Sequence, residues 1–170
     1  SAREYYPKIY GDEAEQAQKI LYDFVEEHHL NYLEVMDEAF DFVRALDVPC
    51  GVVSNKRNQI LEKEMEHLQV ANLFDCVVGA GFADKDNPSA DPLLLGMNTI
   101  SNALKPADIL YVGDTETDLL TAKNTGCDVV LIQSDKPRPD LIEKYQPILN
   151  FMTIKEFYSY YNEQKLSKSA

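Results

Sequence analysis

The sequence is short of positive charge: 16 Lys and Arg stand against 29 Asp and Glu, a formal net charge of −13 over 170 residues. That imbalance repels a polyphosphate backbone at long range and argues against DNA or RNA as the partner. A small phosphorylated ligand stays open, because a few local donors, or a bound cation that inverts the local sign, hold phosphate inside an acidic protein. Cysteine is also scarce. Cys50, Cys76 and Cys127 lie far apart, each beside apolar residues. They offer neither a CxxC metal motif nor an even disulfide framework, and read as free thiols of a reducing compartment. No apolar run approaches the roughly 18 residues of a spanning helix, and the start of the chain lacks the apolar stretch of a signal peptide. His28, His29 and His67 have no metal-ligand spacing with one another and read as helix residues. The expectation is a cytoplasmic protein without a membrane or nucleic-acid partner.

What is present is globular composition, 45% hydrophobic and 26% charged, with length enough for one core. Apolar positions three and four apart predict helices over 11–29 and 35–46. The second stops before Pro49, which cannot donate an amide and disfavours helix in the residue before it. Apolar runs at 49–54, 74–78, 109–112 and 129–132 alternate with helical spacing at 57–68, 92–104 and 118–125. Strand and helix in alternation predict an α/β fold with a doubly wound, Rossmann-like parallel sheet. The runs at 109–112 and 129–132 are apolar throughout, as expected of central strands with helices on both faces. Asp140 and Thr153 are placed to cap helices over 140–145 and 154–162. Residues 164–170 are expected to form a flexible tail.

Two strand ends carry residues suited to chemistry. Tyr111-Val112-Gly113-Asp114 is an apolar strand closing on an aspartate, with Asp118 four residues later at a helix start. In a doubly wound sheet the carboxyl ends of the strands form the ligand crevice. A carboxylate there suits Mg²⁺, which takes one or two protein carboxylates and completes its shell with water and phosphate oxygens. The competing reading is that Asp118 caps the helix and Asp114 starts a turn. Val52-Val53-Ser54-Asn55 is the second such end. The Ser54 hydroxyl and the free amides of a helix start make a phosphate site, although Ser-Asn also serves as a plain N-cap. Lys56 and Arg57 follow, with solvated surface as their ordinary fate.

Taken in order, Ser54-Asn55, the stretch Asn87-Pro88-Ser89-Ala90-Asp91-Pro92, and Val112-Gly113-Asp114 through Asp118 with Ala122, Asn124 and Gly126 resemble the motifs of haloacid dehalogenase-like hydrolases. The likeness is to the phosphoglycolate phosphatase-like branch and spans roughly 32–132. The resemblance implies a Mg²⁺-dependent phosphomonoester hydrolase for small metabolites. Ser54 and Asn55 would bind the phosphoryl group, and Asp114 would hold the metal with Asp118 in support. Residues 1–31 would be the remnant of a helical cap that closes over the site, and 32–163 the α/β core.

The sequence departs from that pattern twice. The family attacks phosphorus with the first aspartate of a DxDx[TV] motif on an N-terminal strand, and these 170 residues contain no such motif. Without it the covalent aspartyl-phosphate step has no residue to perform it. The missing strand would lie between those ending at Ser54 and Asp114, so the sheet is expected to carry a gap. Its exposed edges would pair with a second chain, another copy, a rearranged segment of this chain, or residues of a longer parent. Truncation of such a parent is the favoured reading. By that resemblance the family's lysine corresponds to Asn87, which carries no charge; Lys85, two residues earlier, is the nearest substitute, but solvent exposure is the favoured reading for it. A non-catalytic scaffold that keeps the sheet without the chemistry is the rival class. A phosphate-accepting receiver is weaker, for want of an acidic pair near the first strand.

Overall fold

A computed structural model describes residues 2–168, with side chains described for 5–167. Its helices are α1 (Ala2–Tyr10), α2 (Ala14–His28), α3 (Ala39–Ala45), α4 (Asn58–His67), α5 (Asp91–Ile100), α6 (Glu116–Thr125), α7 (Pro139–Tyr145) and α8 (Ile154–Lys168). The strands are β1 (Gly51–Arg57), β2 (Cys76–Ala80), β3 (Leu110–Gly113), β4 (Asp128–Ile132) and β5 (Leu149–Phe151). All pairings are parallel, in two pieces: β1 with β2, and β3–β4–β5 with β4 central. The α/β alternation read from the sequence is therefore the architecture. α1 and β5 were not expected, and α8 runs six residues past its expected end to Lys168. Residues 169–170, part of the expected tail, lie outside the described residues.

The alternation of side chains along β4 explains its two-sided core. Val129 and Leu131 face α6 and α7, in a cluster with Tyr111, Leu119, Ala122 and Leu141. Val130 and Ile132 face the other way, onto Phe42 of α3 and Phe157 of α8. Each such aliphatic side chain, taken fully out of water, contributes roughly 1.5–3 kcal/mol. A smaller core of Leu61, Met65 and Val70 seats α4 against Val52 and Val77 of the β1–β2 piece. α5 joins the two pieces, since its Leu93 sits in the first cluster, against which Val53 of β1 also packs.

β3 corrects the expectation of a central strand. Its Leu110 and Val112 are 48% and 37% exposed, because β3 has a ladder partner only on its β4 side. β1 likewise pairs only with β2. Among the described residues nothing bridges the facing edges of β1 and β3 by a strand ladder, which is the position of the expected gap.

The N-terminal helices dock on the β1–β2 piece through a polar stripe. The Arg57 guanidinium lies 3.3 Å from the Tyr22 ring centroid, and Lys63 pairs with Glu26 at 2.6 Å. His29 Nδ1 lies 3.0 Å from buried Glu64, whose second oxygen accepts from Lys56 Nζ at 2.5 Å. No helix among the described residues is long and apolar enough to cross a membrane.

Candidate active site: a cleft between two sheet pieces

The ends of β1 and β3 line one cleft of about 490 Å³, together with Asn87, Thr115, Thr117 and Asp118. On the β1 side the ladder is regular as far as Val53–Val78 and resumes only at Arg57–Ala80. The irregularity carries Ser54, Asn55 and Lys56 out of the ladder at the strand's carboxyl end. The Lys56 amide donates to Ser54 Oγ at 3.1 Å, leaving the hydroxyl proton free for a ligand. Asn55 Nδ2 donates to the Asn87 carbonyl at 3.3 Å and ties this turn to the loop before α5. That loop is held in turn by Asn124 Nδ2, which donates to the Pro88 carbonyl at 2.7 Å.

On the β3 side Asp118 organises the turn. Its Oδ2 accepts from the amides of Asp114 (3.2 Å) and Thr115 (2.9 Å) and from Thr115 Oγ1 (2.7 Å). Its Oδ1 accepts from the Tyr111 hydroxyl at 3.3 Å. Thr115 Oγ1 accepts from the Asp118 amide, closing a capping box at the start of α6. Capping and support of Asp114 are thus one role. Gly113 is required here, because a Cβ at that position would stand 2.3 Å from Asp118 Cβ.

Electrostatically the cleft is acidic and uncompensated. Burial, then the neighbouring Asp118 carboxylate, push the Asp114 carboxyl above its ordinary value. Burial first, then Asp118, also push the Tyr111 phenol up, and the neighbouring Asn87 amide opposes them. A carboxylate held in this way favours a cation beside it. The described residues contain no group of three or more His, Cys, Asp or Glu able to enclose a metal. Asp118 spends its oxygens on four donors, so Asp114 alone presents a free carboxylate. That fits a Mg²⁺ bound through one protein oxygen, its shell otherwise filled by water and phosphate.

Ser54, Asn55, Asn87, Asp114 and Asp118 are therefore brought together. Lys85 is not: it is exposed in the loop after β2 and does not line the cleft. Thr115 and Tyr111 were missed. Thr115 was readable from its spacing to Asp118, the T-x-x-D form of a capping box.

The model of the family described as haloacid dehalogenase-like hydrolase matches residues 2–132. The chain belongs to that family. Relatives include the phosphoglycolate phosphatase of Escherichia coli K12, 27% identical over 154 residues that make up 91% of this chain and 56% of that protein. The phosphoglycolate phosphatase of Salmonella typhi is 28% identical over 125 residues, 74% of this chain and 44% of that one. The chain thus spans about half the length of the curated relatives it matches. A haloacid dehalogenase-like hydrolase structure from Streptococcus pneumoniae superposes with a TM-score of 0.79 at 19% identity, covering 94% of this chain and 75% of that one. This likeness concerns the fold.

Proposed function

We propose that these residues form the phosphate and metal shell of a Mg²⁺-dependent phosphomonoester hydrolase that acts on a small phosphorylated metabolite in the cytoplasm. The observation that carries this reading is the meeting of Ser54–Asn55 and Asp114, from two separate sheet pieces, in one cleft. Ser54 Oγ–H and the Asn55 side-chain amide donate to phosphoryl oxygens. Asp114 holds the metal, and Asp118 fixes the Asp114 turn through its backbone amides. Bound Mg²⁺ supplies neutralisation of phosphoryl charge. The relatives named for phosphoglycolate support a compact phosphate monoester as the substrate class. The N-terminal helices α1 and α2 are read as part of a cap over this site.

The nucleophile has no candidate among these 170 residues, so the chain alone turns over poorly. Its site is completed by a β-strand seated between β1 and β3 that brings the attacking carboxylate, from a longer parent or a second, different chain. A non-catalytic family member is the second reading, favoured by the buried, uncharged Asn87. An apolar strand with DxDx[TV] in the amino-terminal sequence of the cellular protein would dispose of that alternative.

The metal assignment is tested by thermal unfolding. Millimolar Mg²⁺ is expected to stabilise the wild-type chain by about 1 kcal/mol, a few degrees, and Asp114→Asn to abolish the shift. An unchanged shift in the variant would refute the assignment. The sign of the pH effect follows from the raised carboxyl. Asp114 favours the folded state most when protonated, below its unfolded value, and that contribution is lost as pH rises through the folded value. In metal-free buffer Asp114→Asn should therefore raise the melting temperature near pH 7 and leave it unchanged near pH 4.

A further inference from the structure

The Asn87 side chain is 3% exposed, lines the cleft, and its Oδ1 is buried with no hydrogen-bond partner among the described residues. The amide orientation is fixed by its neighbours. Asp118 accepts from the Asp114 and Thr115 amides and from Thr115 Oγ1, so the carboxylate acts only as acceptor and the Tyr111 proton must point at it. The Tyr111 oxygen then offers only lone pairs toward the neighbouring Asn87 amide, which favours the orientation that turns its N–H, not its carbonyl oxygen, to that side. Oδ1 is the atom left over.

The lining contains Asp114 and Asp118 and no Lys, Arg or His. The two adjacent cations are engaged elsewhere, Lys56 with Glu64 at 2.5 Å and Arg57 over the Tyr22 ring. A fully ionised phosphoryl group would meet two carboxylates and set a lone pair against a buried carbonyl oxygen.

We infer that the metal-free cleft takes its phosphoryl ligand as the protonated monoanion, with the P–OH donating to Asn87 Oδ1. Ser54 and Asn55 donate to the unprotonated oxygens. The lysine of the family pattern would select the opposite state, because an ammonium donates and carries charge. Asn87 is thus a specificity residue for ligand protonation. The inference rests on the proposed phosphate role of Ser54 and Asn55.

Inorganic phosphate and sulfate separate the two claims, since near pH 6 phosphate retains a proton and sulfate has none. Both are titrated into the full 170-residue chain in metal-free buffer, followed by amide NMR. Phosphate is expected to bind at least roughly tenfold more tightly than sulfate, the factor expected when a buried acceptor is left unpaired. Asn87→Leu should reduce phosphate to the sulfate level. Asn87→Lys should strengthen sulfate roughly tenfold and erase the preference, which keeps the test intact if the leucine variant fails to fold. Equal binding of both anions by the wild type, or a preference that survives in Asn87→Lys, overturns the inference and leaves the phosphate site standing. If neither anion perturbs Ser54 and Asn55, the phosphate reading falls and the inference with it.

Discussion

Purified free of contaminating phosphatase, the 170-residue chain is expected to hydrolyse p-nitrophenyl phosphate at on the order of 10⁻³ per second or slower. Enzymes commonly turn over at about 1 to 10³ per second, and removing the nucleophile from a covalent mechanism costs on the order of 10⁴ to 10⁶. On the proposed reading Ser54 and Asn55 hold the phosphoryl group and Asp114 holds the metal that neutralises it, and none of the three replaces the attacking carboxylate. On that reading Asp114 is taken up by the metal, and Asp118 has its oxygens committed to four donors. Steady-state assay with Mg²⁺ decides the matter, with Asp114→Asn prepared in parallel as a control for carried-over enzyme. A rate of about one per second or faster that disappears in that variant would contradict the account.

Gly113→Ala is expected to destabilise the chain by about 3 kcal/mol and lower its melting temperature by roughly 10 °C. The new Cβ would stand 2.3 Å from Asp118 Cβ and 2.6 Å from its Cγ, so Asp118 must move. Moving it breaks the capping box of α6, about 0.5–2 kcal/mol by itself, and releases the Asp114 amide and the Tyr111 hydroxyl. Thermal or urea unfolding measures the loss. A change below about 0.5 kcal/mol would mean that α6 shifts away without strain.

The largest legible feature of the fold was β4. Four of its residues are apolar in succession, and they are buried on both faces, as two-sided cover by helices requires. The run that forms β3 is also apolar throughout and was read the same way, yet Leu110 and Val112 are exposed. Composition records what a strand is built to bury, whereas its actual cover depends on a neighbour that these residues do not supply. α1 was missed because Pro7 interrupts its helical signal. β5 was missed because three residues carry no periodicity and gain their conformation from pairing with β4. That Ser54, Asn55 and Asp114 line one cleft was legible because they sit at the ends of apolar runs, where the topology dictates a crevice, and Asp118 was legible from its place at the following helix start. Lys85 was favoured for solvent exposure, and its loop does turn it to solvent. The orientation of Asn87 depends on Tyr111 and Asp118, and the His29–Glu64–Lys56 cluster joins residues far apart in the chain. Neither leaves a local pattern.

The central claim is that two sheet pieces, unjoined by a strand, converge on one phosphate and metal cleft. Its most direct test is amide NMR of the ¹⁵N-labelled chain titrated with phosphate and Mg²⁺ together. The account predicts saturable shifts concentrated at Ser54, Asn55, Gly113, Asp114 and Thr115, on both sides of the gap at once. Shifts confined to one side, or centred on the exposed loop at Lys85, would contradict it.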